Sequence, residues 1–227
     1  MQRTKRLSRE ERKNRLMSAA QDVFGENGYR KTEVDEIARK AGVTKPILYR
    51  HFPGGKAEIF MAVLDEHIRR LLQGLWEAMA SSNEAIERLH GGLDAYLRFA
   101  EENPDGFRLL VDSSADLDPG VSDRLRQVRD SLARGLEITI GDVMKGAGLE
   151  TQGAPVYARA LLGGVESVVA WWLESRQPER HQVVDYLLAF LWRGFSGLPK
   201  DPTQFHVERP APLVVSKPEP PKGAVGL

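Results

Sequence analysis

Between Glu33 and Phe52 the sequence leaves Thr44, Lys45, Pro46, Tyr49, Arg50 and His51 facing outward from a short helix. Hydroxyls, a lysine, an arginine and an aromatic ring suit the base edges and phosphate walls of a DNA major groove. The other side of the same stretch is apolar. Ala38 is small enough for two helices to cross, Gly42 tolerates the positive φ of a tight turn, and Leu48 fixes the second helix onto the first, with Val34, Ile37, Val43 and Ile47 completing a small core. These are the three requirements of a helix-turn-helix. Two readings of Tyr49 and of His51 stand side by side: groove contacts, or a cover over that core and a helix cap.

Catalytic patterns are missing by contrast. There is no Gly-x-Ser-x-Gly elbow, Gly55-Lys56 is followed by Ala57 rather than by a P-loop hydroxyl, and His-Glu-x-x-His does not occur. Gly194-Phe195-Ser196-Gly197 misses the elbow by one residue. The chain has no cysteine, and its five histidines have no ligand spacing, so no metal, cofactor or enzymatic activity is expected.

The elements needed to position the outward residues follow from apolar spacing. Strand patterns are nearly absent, and an all-α protein of about nine helices is expected: an N-terminal three-helix DNA-binding domain followed by a helical ligand-binding and dimerisation domain. Leu16, Ala19, Ala20, Val23 and Phe24 form the stripe of a first helix, Ser8 to Asn27, stopped by Gly28. Thr32 and Asp35 have the spacing of a capping box and predict the start of the second helix, which ends at Ala41-Gly42. The third begins near Thr44 and is broken by Pro53-Gly54-Gly55. Ile59, Phe60, Val63, Leu64, Ile68, Leu71, Leu72, Leu75 and Trp76 predict one long helix from Lys56 to about Met79. Further helices fit Glu84 to Asn103, a piece after Pro104, Val121 to Lys145, Ala154 to Ser175 and Arg180 to Ser196. Seven of thirteen prolines fall in the last 29 residues, predicting a disordered tail over 199–227. Residues 1–56 thus form the head and 57–198 the body.

Charge divides along the same line. The formal net charge is zero, yet residues 1–56 carry 14 Lys/Arg against 7 Asp/Glu, net +7, leaving 18 against 25, net −7, for the remainder. A basic head on an acidic body is the pattern of a nucleic-acid-binding protein. Arg3, Lys5, Arg6 and Arg9 extend the basic face ahead of the first helix, as a DNA-contacting arm or as a solvated tail. No 18-residue uncharged apolar stretch and no signal-like N-terminus occur, so a cytoplasmic protein without a membrane partner is expected.

At these positions the chain resembles the DNA-binding domain of the TetR family. Ala19-Ala20, Phe24, Gly28-Tyr29, Thr32, Ile37-Ala38, Ala41-Gly42-Val43-Thr44, Leu48-Tyr49, His51-Phe52 and Lys56 stand in that family's order, over about Leu16 to Phe60. One departure concerns the long helix: the family usually has a single residue between Pro53 and the lysine, whereas Gly54 and Gly55 both intervene here. The resemblance implies that Thr32 and Lys56 hold phosphates from helix N-termini, where free N–H groups favour anions. It places Thr44, Lys45, Pro46, Tyr49 and His51 on the groove, Lys45 against guanine and Pro46 against a thymine methyl. It also implies a repressor whose body holds a small apolar effector and transmits its binding through the long helix. Tyr96-Leu97-Arg98-Phe99, Gly106-Phe107-Arg108-Leu109-Leu110 and Leu191-Trp192-Arg193-Gly194-Phe195-Ser196-Gly197-Leu198-Pro199 look like members that sense long-chain acyl-CoA.

Within the body, Tyr96, Phe99, Phe107, Leu110, Val111 and Trp171 are the expected walls of an effector pocket, with packing core as the competing meaning of the cluster. Leu161, Gly164, Val168, Trp172 and Phe190 are the expected homodimer contacts, since helix-turn-helix heads pair to span two half-sites of double-stranded operator DNA. Trp171 and Trp172 are adjacent, so about 100° separates them and one must face inward while the other faces out. The rival to a ligand-responsive regulator is a constitutive DNA-binding protein whose body serves only dimerisation or a protein partner.

Overall fold

The computed structural model describes residues 8–111 and 118–196. Arg3, Lys5 and Arg6 of the basic arm and the proline-rich tail lie outside them. Among the described residues there are nine α-helices, one 3-10 turn at Thr151–Gly153 and no strand: α1 Arg9–Lys31, α2 Val34–Lys40, α3 Lys45–His51, α4 Gly55–Ala80, α5 Ala85–Glu102, α6 Pro104–Val111, α7 Pro119–Gly146, α8 Ala154–Ser175 and α9 Arg180–Ser196.

Ser8 starts α1 with a reciprocal cap, its Oγ accepting from the Glu11 N–H at 3.1 Å while Glu11 Oε2 accepts from the Ser8 N–H at 2.6 Å. The five apolar residues of the expected stripe are all buried. At Gly28 the backbone turns to φ 70°, a conformation that strains any side chain, and the helix is kinked there before it ends at Lys31. Ile37, Ala38 and Leu48 close the small core of α1 to α3, and Gly42 adopts φ 67° in the turn.

Helix α4 has 26 residues, a length of about 39 Å at 1.5 Å per residue, and α5 packs along it. Ile59, Phe60, Val63, Leu64, Ile68 and Leu71 are buried as the stripe predicts, but the pattern outruns the packing. Leu72 is half-exposed and Trp76 is 76% exposed, because the last turns of α4 border a cavity instead of a closed core. Helices α7 and α8 form a second pair, α9 packs on α5, and the short α6 lies against both α1 and α4.

The tryptophan pair is oriented opposite to expectation. Trp172 is the buried partner, its Nε1–H donating to the Pro178 carbonyl at 2.7 Å, with the Arg176 guanidinium 5.4 Å from its ring. Trp171 is 56% exposed. Both lie in an apolar run with two apolar stripes: Trp172 continues the buried one through Val165 and Val169, where its indole N–H also finds a carbonyl, and Trp171 continues the groove-lining one through Gly164 and Val168.

Candidate nucleic-acid interface

Helix α3 presents Thr44, Lys45, Pro46, Tyr49 and Arg50 to solvent, with His51 half-buried beside them. Thr44 is the N-cap residue, but its hydroxyl caps nothing, and Pro46 sits within the first turn, where its missing N–H costs no hydrogen bond. Lys45 Nζ is 2.8 Å from Asp35 Oδ1 across the helix-turn-helix, and this bond raises the lysine pKa. Both side chains are exposed, so the pair contributes little to folding and the lysine can exchange its carboxylate for DNA. Burial depresses the His51 pKa first, followed by the fields of Arg9, Arg12 and Lys13 of α1 and of Arg50. The fields of those three α1 cations thus reach the recognition helix and add to the positive potential there. Their four-residue neighbourhood around His51 joins separate helices, which spacing along the chain does not reveal.

Two residues assigned to phosphates have other partners. Thr32 is fully buried, its hydroxyl directed at the carbonyls of Gly28 at 2.8 Å and Val23 at 3.3 Å. The capping box expected at Thr32 does not form: Glu33 is the N-cap of α2, without a side-chain bond. Thr32 instead satisfies carbonyls freed by the Gly28 kink, so its side chain offers nothing to a phosphate in this arrangement. Lys56 Nζ donates to the Arg30 carbonyl at 2.9 Å and lies 4.9 Å above the ring of Tyr29, which packs edge-on against Phe60 at 4.8 Å. The lysine fastens the end of α1 to the start of α4.

The paired glycines do not form a slack joint. The Gly54 N–H donates to Glu58 Oε2 at 2.6 Å, and the Gly55 N–H to the Phe52 carbonyl at 3.0 Å. Gly55 has φ 67° and is buried against Tyr49, whose Cε1 would lie 3.3 Å from a Cβ added there. Tyr49 therefore has one side on this joint and 38% of its surface exposed.

Two concavities formed by the described residues of the body are apolar. One, about 820 Å³, lies among α4, α5, α7 and α8. Leu72, Leu75, Trp76, Leu93, Leu132 and Leu136 line its length, and Arg88, Asn83 and Asp142 stand at the end near the α4–α5 turn. Arg88 there donates to Asp142 at 2.8 Å and to the Asn83 carbonyl at 2.7 Å. Of the residues expected to wall an effector pocket, Tyr96 alone lines it. Phe99 of α5 and Phe107 and Leu110 of α6 are buried packing core and Val111 is partly buried against it, because α6 packs on α1, α4 and α5; Trp171 is on the outer surface. Phe107 meets Tyr96 edge-on at 5.8 Å, so α6 touches the cavity through one wall residue. Burial pushes the Tyr96 hydroxyl far up, keeping it neutral. Nearby, Arg129 of α7 donates to the Val111 carbonyl at 2.8 Å and approaches Glu166 of α8 at 3.4 Å, holding the end of α6 in place.

The second concavity, about 670 Å³, is an open groove between α8 and α9. Leu161, Gly164, Val168 and Phe190 line it together with Trp171 and Tyr186, whereas Trp172 is inside the protomer. Among the described residues no helix is long and apolar enough to cross a membrane, and no His/Cys/Asp/Glu group is arranged to hold a metal.

A three-helix head with an exposed cationic recognition helix, mounted on a helical body with an apolar cavity, defines a helix-turn-helix transcription regulator. Residues 16–63 match the profile of bacterial regulatory proteins of the tetR family, and residues 86–194 match the tetracyclin repressor-like C-terminal domain. The chain is 30% identical over 195 residues to the HTH-type transcriptional activator FasR of Mycolicibacterium smegmatis, covering 86% of this chain and 87% of that one. It belongs to the TetR family. A solved TetR-like transcriptional regulator from Rhodococcus sp. RHA1 superposes with a TM-score of 0.74 at 27% identity, covering 85% of this chain and all of that one. The fatty acid degradation regulator FadR from Bacillus halodurans shares the fold, with a TM-score of 0.68 at 16% identity over 82% of this chain and all of its own.

Proposed function

We propose that the chain is a dimeric, ligand-responsive regulator that grips an inverted-repeat operator with two copies of α3, and that its effector is a single-chain amphiphile of the long-chain acyl class, such as acyl-CoA, seated in the cavity among α4, α5, α7 and α8. The observation that carries this reading is the cavity itself: about 820 Å³, walled by leucines along its length, with an arginine at one end. Apolar walls suit an alkyl chain, and Arg88 suits an anionic head group that displaces Asp142 from it. The description of FadR as a fatty acid degradation regulator accords with a fatty-acid setting, and the stretches around Tyr96, Phe107 and Trp192 resemble acyl-CoA-sensing members of the family.

Thr44, Lys45, Pro46, Tyr49 and His51 form the DNA-facing set, joined by Arg9, Arg12 and Lys13. Lys56 supports that set by fixing α4 to α1. Leu161, Gly164, Val168, Trp171, Tyr186 and Phe190 form the dimer face; an apolar groove of this size with exposed aromatics favours a second copy as its cover. A relative named an activator argues against a fixed repressor role: occupancy of an operator blocks or assists transcription according to where it lies at the promoter.

The test is a thermal-shift and operator-binding series with acyl-CoAs of increasing chain length, free fatty acids and an apolar drug panel. An effector at 100 times its Kd stabilises the folded body by about 2.7 kcal/mol. Expected are a long-chain-selective shift and weaker operator binding at saturation, both lost in Leu93→Trp, which fills the cavity. Absence of any shift together with unchanged operator affinity returns the constitutive reading.

A further inference from the structure

Helix α6 is held between head and body by two close approaches, each through a glycine. A Cβ added to Gly25 of α1 would lie 2.7 Å from Cβ of Asp105 on α6, and one added to Gly106 of α6 would lie 2.4 Å from Nδ1 of His67 on α4. Neither approach tolerates a side chain on the glycine without movement. The imidazole of His67 is therefore the surface on which α6 rests.

His67 is 1% exposed, and neither ring nitrogen has a hydrogen-bond partner among the described residues. Such a ring is tolerated as a neutral group at a cost of a few hydrogen bonds, whereas an unpaired charge there costs much more. The charged groups around it offer no relief in place. On α4, Glu66 is engaged by Arg69 at 2.8 Å and by Arg70 at 2.8 Å. On α6, Asp105 is engaged by Arg108 at 2.9 Å. From α5 the ring of Phe99 stands edge-on at 6.4 Å, with Glu102 further along the groove shared with Arg70, and α1 meets this part of α6 through Gly25. An imidazolium must leave its seat against Gly106 to find water or a free carboxylate.

We propose that His67 is a proton-operated strut between the DNA-binding head and the body: as a neutral ring it seats α6 between α1 and α4, and its protonation unseats α6 and weakens operator binding. The effect on DNA rests on the dimeric operator-binding reading above. Two heads grip one operator only if the body holds them at a fixed spacing, and a loosened α6 surrenders that pre-organisation. Burial first, and Arg70 second, hold the His67 pKa below its ordinary value of 6.5, while Glu66 and Asp105 pull weakly the other way. The seated arrangement is accordingly favoured above that pH and loses ground as pH falls beneath it. An exposed imidazole near 6.5 favours the unseated form by up to about tenfold at pH 5.5 relative to pH 7.5. Protonation of His51 has the opposite sign, since it adds positive charge at the DNA face, so the two histidines separate in experiment.

The full-length dimer is compared at pH 7.5 and 5.5 by hydrogen exchange of α6, corrected for intrinsic rates, by operator affinity, and by the His67 ring resonance. His67→Phe and His67→Leu remove the proton site in two shapes, and Gly106→Ala drives the ring from its seat at neutral pH. Expected is an acid-induced fall of up to about tenfold in α6 protection, and in operator affinity relative to the two non-titrating variants; Gly106→Ala shows low protection already at pH 7.5. The same pH dependence in wild type and whichever variant folds, or a folded-state titration of His67 at its ordinary pKa without change in α6, overturns the strut. If α6 protection follows the His67 resonance while operator is bound at neither pH, the dimeric operator-binding reading fails, and the coupling to DNA fails with it.

Discussion

Phe190→Glu should turn the dimer into a monomer without harming the protomer. Phe190 is 77% exposed on the α8–α9 groove. An aromatic side chain buries roughly 150–250 Å², so about 150 Å² of this one awaits a partner. At about 25 cal/mol per Å² that is worth at most ~4 kcal/mol in each protomer, and two-fold symmetry doubles it. Retaining half of the total, to allow for incomplete burial, leaves ~4 kcal/mol, about a thousandfold in the dimer dissociation constant. The carboxylate adds a charge that must be desolvated against apolar Trp171 and Val168. Within one protomer the same change removes little packing, so helicity and the thermal midpoint at low concentration should hold nearly constant. Sedimentation velocity at about 1–10 µM separates the outcomes: a dimer for wild type and a monomer for the variant, with binding to a full operator falling toward that of a half-site. A Phe190→Glu protein that still sediments as a dimer at 1 µM would refute the assignment of this face.

Lys45→Ala is expected to lose roughly tenfold or more in operator affinity and to relax base preference, read as the ratio of specific to random-DNA binding; equal losses on both would remove it from direct readout. Thr32→Val removes a buried hydroxyl from the Val23 and Gly28 carbonyls and should lower stability by about 1–2 kcal/mol in urea unfolding, while the salt dependence of DNA binding, which counts phosphate contacts, stays unchanged. Gly55→Ala must place a side chain at φ 67° against Tyr49 and should cost about 1–2 kcal/mol and weaken DNA binding, whereas Gly54→Ala, at φ −75°, meets no backbone strain, only a tight 3.1 Å approach to Glu58 Cβ, and should cost less; unfolding and gel-shift titrations of the pair check the ordering.

Several helix limits were legible because buried stripes repeat at 3.6 residues: α8 and α9 begin and end where the sequence places them, whereas α1 passes its expected stop at Gly28 and runs on, kinked, to Lys31. Faces were less so. Adjacent Trp171 and Trp172 each continue an apolar stripe of α8, and which stripe turns inward is set by the packing of α7 on α8, with Trp172 also bonded to the Pro178 carbonyl beyond the helix end. Thr32 has the spacing of a cap and the environment of a core residue, a distinction made by the kink at Gly28 four residues earlier. The cavity wall was missed because four helices contribute to it, whereas clustering along the chain around Pro104 pointed to Phe99 at the end of α5 and to α6, whose Phe107 and Leu110 fill the core. His67 could have been found: it continues Phe60 and Leu64 toward Leu71 at steps of three and four, which places an imidazole on the buried stripe.

How an effector in the body could reach α3 depends on whether the junction at Gly54 and Gly55 yields. Three bonds meet there: Glu58 takes the Gly54 N–H, Phe52 takes the Gly55 N–H, and Lys56 grips the Arg30 carbonyl of α1. A helix held at its head end by bonds to both α3 and α1 cannot tilt alone; the head moves with it. Since α4 borders the cavity with Leu72, Leu75 and Trp76 and continues for about 39 Å in all, a tilt of about 5° displaces its far end by ~3 Å, comparable with the distance over which a hydrogen bond to a base edge is lost. The free energy available for that motion is bounded by the effector's preference between the two arrangements, typically about 1–3 kcal/mol. Tyr96 and Phe107 give α6 a contact with the same cavity, and α6 in turn rests on α1 and His67. Two elements thus run from one cavity to one head, and because both end on α1, a displacement of either is resisted by the other until the effector favours the displaced state of both. Under the proposed effector-responsive reading, that mutual restraint would make the response two-state and not graded.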